Sequence, residues 1–409
     1  MSNNSRCRVC GGTVREFFDF GRQPLSDAFA PPDADFTQEF FFRLATGVCE
    51  GCTMVQLMEE VPRDRMFHED YPYHSSGSSV MREHFEQLAK RFLATELTGD
   101  DPFIVEIGCN DGIMLKAVAE AGVRHLGVEP SGGVAALAAT KGIQVRNAFF
   151  EQGTAGEIVT EQGRADVIYA ANTLCHIPYM ESILTGVTAL LKPTGVFVFE
   201  DPYLGDIVER TSFDQIYDEH FFLFSAQSVQ AMASRFGLEL VDVERLAVHG
   251  GEVRYTLAPA GRRTPTPEVA ALVAQERERG IADPATLEAF GARVLKIRDD
   301  LVALLEKLRA EGRRVVAYGA TAKSATVTNL CGIGPELVEF VCDSTPAKQG
   351  RVTPGTHIPV RESAAFAQPY PDYALLFAWN HAEEIMAKEQ EFRDRGGKWI
   401  LYVPDVRIV

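Results

Sequence analysis

Three groups of side chains in this 409-residue chain have types and spacings that could do chemistry. In Tyr217-Asp218-Glu219-His220 a phenol, a carboxylate and an imidazole fall within four residues. Imidazole is the side chain best matched to proton abstraction near neutral pH, and a phenol can donate to an oxyanion as it forms. Phe213, Phe221 and Phe222 flank the group, which favours burial, and a dry site strengthens electrostatics. The same residues could instead be a surface turn before an apolar strand. His176, four residues past Asn172, is a second imidazole candidate and could equally be a packed histidine.

The second group is a pair of knuckles, Cys7-Arg8-Val9-Cys10 and Cys49-Glu50-Gly51-Cys52. Four thiolates suit a tetrahedral zinc ion, and two-residue spacers let each pair bite one metal. A set of four cysteines closes the coordination sphere, so such a zinc is structural rather than catalytic. A redox role for either pair is the alternative; disulfides are the weaker explanation in a reducing compartment. The long span between the knuckles predicts a β-rich insertion held together by the metal. Cys109, Cys175, Cys331 and Cys342 lie in apolar stretches and are expected as buried small hydrophobes.

The third group is Phe103-Ile104-Val105-Glu106-Ile107-Gly108-Cys109-Asn110-Asp111-Gly112-Ile113-Met114-Leu115. A short β-branched burst closed by glycine reads as a buried parallel strand entering a tight turn, with helical spacing resuming at Leu115, Val118 and Ala119. Strand, turn and helix bring backbone N–H groups and a helix N-terminus to a polar ligand. The next strand, His125 to Val128, ends in Glu129, placed to accept both hydroxyls of a ribose. Phe149 and Phe150 could bracket an adenine or belong to the core. Only Gly108 and Gly112 are present, so the dinucleotide fingerprint is incomplete.

These groups need positioning elements. Alternating strand and helix patterns from about Asp101 to Glu200 predict a parallel sheet covered on both faces, with ligand at the strands' carboxyl ends. Asp166–Asn172 and Val196–Glu200 read as later strands of it. Met81, Phe85, Leu88 and Phe92 mark a helix before it. In the N-terminal region Arg15–Phe20 and Phe40–Leu44 read as strands and Gly21–Leu25 as a turn. Phe67 to Ser79 is polar, aromatic and aperiodic, a connector or a functional loop. His249-Gly250-Gly251 turns into a strand carrying Arg254, placed to meet an anion, and Leu257–Pro267 is a linker candidate.

A long helix with Leu287, Phe290, Val294, Ile297, Leu301, Leu305 and Leu308 leads to a second β/α unit. Its strand Arg314–Tyr318 opens into Gly319-Ala320-Thr321-Ala322-Lys323-Ser324, whose N–H groups, hydroxyls and Lys323 suit a phosphate. Val338–Asp343, Tyr373–Trp379 and Trp399–Val403 read as further strands, placing Asn380 and His381 where ligands usually bind. The domains expected are 1–72, 73–262 and 263–409.

Composition sets limits. A net charge of −17 argues against a protein built to coat nucleic acid, though not against an anionic small substrate. No apolar run is long enough to span a membrane. Met1 to Arg6 lack the apolar core of a signal peptide, so a cytoplasmic location is expected. A monomer is compatible with the chain.

With the glycine turn, Glu129, Asn172 and the Leu190–Glu200 strand entry in place, the sequence resembles a class I S-adenosylmethionine (SAM)-dependent methyltransferase. The resemblance implies that Glu106, Gly108, Asn110, Gly112, Glu129 and Asn172 serve the donor. Zinc knuckles, methyltransferase core, Tyr-Asp-Glu-His segment and a final domain opening with Gly-Ala-Thr-Ala-Lys-Ser resemble, as an ordered set, the deoxysugar C-methyltransferases of antibiotic pathways. The nearest likeness is to C-3′-methyltransferases of tetronitrose-type sugar biosynthesis. The fold implied is α/β: an N-terminal zinc-binding module, a central class I methyltransferase Rossmann-like domain and a C-terminal Rossmann-like domain with nucleotide-sugar contacts.

The implied reaction is C-3′ methylation of a dTDP-linked 3-amino-2,3,6-trideoxy-4-keto-hexose. His220 is then the base, and Tyr217, Glu219, His176 and Tyr71 surround the reacting carbon. Methylation at C-3 or C-5 of another keto-sugar, O- or N-methylation of a nucleotide sugar, and an inactive zinc-containing binding protein are the other readings.

Overall fold

A computed structural model of the chain describes residues 6–67, 75–77 and 79–409. The zinc-knuckle region builds an antiparallel sheet from β1 (Val14–Pro24), β2 (Phe41–Cys49) and β3 (Val55–Leu57). Gly21–Leu25 is not a turn. The strand runs on to Pro24 through a register shift between Asp19 and Arg22, with Gly21 at φ +78°. One surplus residue is absorbed as a bulge, which bends the strand without ending it.

The central sheet contains β4 (Phe103–Ile107), β5 (Arg124–Val128), β6 (Val145–Arg146), β7 (Ala165–Ala171) and β8 (Leu191–Pro202), all parallel. The next strand, β9 (Phe222–Leu223), leaves this sheet and pairs with β3 of the zinc-knuckle region. The chain then returns as β10 (Leu238–Leu246) and β11 (Glu252–Pro259), giving the order β10-β11-β8-β7-β4-β5-β6 with β11 antiparallel to both neighbours. Phe103, Ile104 and Val105 are wholly buried, as a central strand covered by helices on both faces requires. The helix Ser79–Thr95 buries Met81, Phe85, Leu88 and Phe92. Leu257 is not in a linker: it lies inside β11 opposite Phe197, and the connector begins after Pro259.

The last sheet takes β12 (Val315–Tyr318), β13 (Val341–Asp343), β14 (Val360–Glu362), β15 (Tyr373–Leu376), β16 (Lys398–Leu401) and β17 (Arg407–Ile408) in the order β14-β13-β12-β15-β16-β17. Every pair in it is parallel except β16 with β17. The expected strand through Trp379 stops at Leu376, and Trp379–His381 forms a 3₁₀ turn at its carboxyl end.

The three parts interlock. The helix Pro284–Ala310 lays its apolar stripe over β1, where Gly291 lets the Phe18 ring approach; a Cβ there would come within 2.8 Å of it. Val352 bridges to Ala30, and Glu39 accepts from Gly355 N at 2.7 Å. Among the described residues no helix is long and apolar enough to cross a membrane.

Candidate active site

The carboxyl end of β4 turns on residues with positive φ: Gly108 at +69°, Asn110 at +49° and Gly112 at +75°. A Cβ on Gly108 would lie 2.4 Å from Thr173 Oγ1, so both conformation and space select glycine there. Gly108, Asn110, Glu129, Phe149, Phe150 and Asn172 all line one cavity of about 880 Å³. That volume is at the upper end of the ~300–1,000 Å³ usual for ligand clefts. Glu129 accepts from the main-chain N–H of Asn110 at 3.0 Å and of Ser131 at 2.9 Å, which orients its carboxylate and leaves further lone pairs to accept hydrogen bonds. Burial raises its pKa, and those two N–H groups oppose the rise.

Asn172 holds φ +47° at the end of β7, a conformation asparagine tolerates better than most residues. Glu106 and Gly112 do not reach the cavity wall. Glu106 is buried behind it, with its carboxyl raised well above the usual range by burial and then by the charge of Glu129. Gly112 starts the helix Ile113–Glu120, and a Cβ on it would meet Ile143 at 2.8 Å.

Tyr217, Glu219, His220 and His176 line the same cavity. Asp214 and Gln215 sit in a short 3₁₀ turn and 216–221 form a loop, so adjacent side chains such as Glu219 and His220 can both serve one site. His220 Nδ1 lies 2.6 Å from the main-chain oxygen of Gln215. Only an N–H can face a carbonyl, so the proton is on Nδ1 and the lone pair on Nε2. That Nε2 accepts from the Tyr217 hydroxyl at 2.8 Å.

Burial, then the neighbouring His176, hold the His220 pKa well below 6.5, and burial takes His176 to about 3, so both rings are neutral. Phe67, His176, His220 and Tyr217 form a column of rings with successive centroid separations of 5.8, 5.4 and 4.1 Å. Tyr71 lies outside the described residues.

The last domain adds to the lining: Ala320, Thr321 and Lys323, then Asp343 to Lys348, then Asn380 and His381. Lys323 donates to the His249 carbonyl at 3.3 Å and faces the Trp379 ring at 5.5 Å; burial lowers its pKa, opposed by Asp214 and Glu252. Arg254 is not brought to the cavity. Its Nε donates to Glu200 at 2.7 Å and its Nη1 to Glu244 at 2.6 Å, so its charge is spent on its two neighbouring strands rather than on a ligand.

Sequence reasoning passed over Asp27, Arg63, Gln215 and Lys348, all of which line the cavity. Arg63 stacks over Phe149 at 4.1 Å, and Asp27 accepts from Lys348 at 2.9 Å. Their contacts span 86 and 321 positions (63 to 149; 27 to 348), which no local pattern signals.

Away from the cavity, the sulfurs of Cys7, Cys10, Cys49 and Cys52 lie within 4.8 Å of one another. The Cys7–Cys52 and Cys10–Cys49 separations are 3.6 and 3.3 Å. Zinc–sulfur bonds of ~2.3 Å make tetrahedral sulfur–sulfur edges of about 3.8 Å, so the donor set fits zinc. Main-chain N–H groups of Val9, Gly12 and Gly51 point at three of the sulfurs, as the ligands of a thiolate site require.

Three family models cover this arrangement in order: "Putative zinc binding domain" over 7–67, "Methyltransferase domain" over 81–243 and "C-methyltransferase C-terminal domain" over 247–404. The C-methyltransferase NovU of Streptomyces niveus is 35% identical over 98% of this chain and 96% of its own. The chain belongs to the SAM-dependent C-methyltransferase family. This SAM-dependent C-methyltransferase also shares 25% identity with the ubiquinone biosynthesis O-methyltransferase of Rhodopseudomonas palustris (strain BisA53), over 23% of this chain and 38% of that one. Among solved structures, a SAM-dependent methyltransferase from Anabaena variabilis aligns at 17% identity over 42% of this chain and 84% of its own, with a TM-score of 0.34. The C-methyltransferase thus combines a SAM-binding core with a zinc-binding domain at its N-terminal side.

Proposed function

We propose that this C-methyltransferase methylates C-3′ of a dTDP-linked 3-amino-2,3,6-trideoxy-4-keto-hexose, in the making of an antibiotic deoxysugar. The observation that carries the reading is the chemistry of one atom: His220 Nε2 holds a lone pair in the cavity that Gly108, Glu129 and Asn172 also line. Carbon has no lone pair of its own to methylate, so a carbon acceptor must first lose a proton. A ketone at C-4′ makes the C-3′ hydrogen acidic, and a neutral imidazole can take it.

In this reading, Glu129 holds the donor's ribose, the turn at Gly108–Asn110 meets its methionine part and Asn172 borders the methyl group. Bound there, SAM supplies an electrophilic methyl on a sulfonium. His220 Nε2 takes the C-3′ proton, and the Tyr217 hydroxyl turns from Nε2 to donate to the oxygen of the enolate. Glu219, beside His220 in the cavity wall, favours the imidazolium that results. Holding the enolate carbon against the methyl group supplies much of the remaining acceleration.

Lys323 and the Thr321 hydroxyl, buried without a partner among the described residues, are suited to a diphosphate, with Asn380 and His381 nearer the sugar. The domains then divide as 1–72, 73–262 and 263–409, with nucleotide-sugar contacts in the last.

The test is a panel of dTDP-4-keto-sugars incubated in deuterium oxide, first without SAM and then with it. Deuterium entering at C-3′ without donor, and a C-3′-methyl product with it, are expected. A methylated oxygen or nitrogen, or exchange at C-5′ alone, would overturn the reading.

A further inference from the structure

Gln215 does two things for the site that are visible in its contacts, and leaves one atom over. Its main-chain oxygen fixes the His220 tautomer, and its side-chain Nε2 donates to the His249 carbonyl at 2.7 Å. A carbonyl can only be faced by the amide nitrogen, so this bond sets which way the side chain points. The remaining atom, Oε1, is buried with no hydrogen-bond partner among the described residues, in a residue only 1% exposed that lines the cavity. A buried acceptor left unpaired is costly and calls for a donor. Rotation about the amide cannot relieve it, because Nε2 would lose His249, whose carbonyl also takes Lys323. Gly250 keeps the arrangement open: a Cβ there would come within 2.9 Å of Gln215 Nε2.

We infer that Gln215 Oε1 is the specificity contact for the acceptor, taking a hydrogen from an amino or hydroxyl group on the carbon that receives the methyl. This rests on the keto-sugar reading above. One residue then ties the base and the acceptor's substituent together: its carbonyl aims His220 and its amide oxygen holds the group beside the hydrogen to be removed. The site selects for a donor there because the amide presents only an acceptor.

Three nucleotide 4-keto-sugars differing only in an amine, a hydroxyl or a hydrogen at that carbon test the assignment. For the wild-type enzyme kcat/KM should favour the donor-bearing sugars by ~10–100-fold over the deoxy compound. In Gln215→Leu that ratio should fall to within about twofold, whereas a purely structural role would slow all three sugars equally and keep the ratio, which would overturn the inference. Wild-type enzyme that turns over none of the three would instead overturn the keto-sugar reading itself, and this inference with it.

Discussion

The main-chain N–H of Ser26 donates to the carboxylate of Asp218 at 3.0 Å, fastening the N-terminal domain to the segment that carries His220. Two residues past His220 the same attachment repeats as strand pairing, Gln56 with Phe222 and Val55 with Leu223. From the other side, Trp379 Nε1 and the Tyr402 hydroxyl donate to Asp214 at 2.6 Å each. The loop with the proposed base is therefore suspended between the first and last domains, while the central sheet presents the proposed donor-binding residues.

Zinc removal should act through that suspension. Chelation, or Cys10→Ser, is expected to lower thermal stability and to reduce turnover by ~100-fold if His220 moves by about 1 Å. SAM affinity, assigned in the proposed reading to Gly108 and Glu129 on the central sheet, should fall less. Metal content, thermal denaturation and calorimetry with SAM on the same preparations check this.

Tyr217→Phe removes the hydroxyl now 2.8 Å from His220 Nε2. Turnover should drop by ~10²–10³-fold, the usual cost of one oxyanion donor, with SAM binding unchanged. His220→Ala should abolish deuterium exchange as well. Combined, the two losses should be smaller than their product, because the groups act as a unit.

The pH dependence follows from the sign of the His220 shift. Its pKa is depressed below 6.5 by burial, so acidification through pH 6.5 leaves Nε2 unprotonated. The acid limb of kcat/KM, which reports the unliganded enzyme, should therefore lie below pH 6.5. A limb centred at or above 6.5 would contradict a buried neutral base.

Glu129→Ala should weaken SAM binding by ~10–100-fold, since hydrogen bonds to a charged group are worth about 1.5–3 kcal/mol. Titration calorimetry measures it directly. The kcat at saturating SAM should change much less, because the proposed reading sets Glu129 at the ribose, away from the methyl group.

Some of this was legible because it is local. Cys-x-x-Cys twice, a glycine turn after an apolar strand, an acid ending the next strand and the stripe from Leu287 to Leu308 are each read within one element. Arg254 shows the limit of such reading. Its place at the start of a strand after two glycines suggested an anion site, yet Glu200 and Glu244 from neighbouring strands take its donors. Tyr-Asp-Glu-His was equally compatible with a surface turn until two other domains closed over it.

By itself the sequence determined the chemical inventory and the class of each element, because side-chain identity and hydrophobic period are properties of short stretches. Which groups share a cavity was decided only in three dimensions. The β9–β3 pairing rests on two residues per strand separated by more than 160 positions (Val55 to Leu223), too short to leave a pattern. The Gln215 amide is set by a carbonyl at His249, and the His220 lone pair by a main-chain oxygen that every residue carries. Backbone acceptors have no sequence signature, so where they fall is fixed by packing alone.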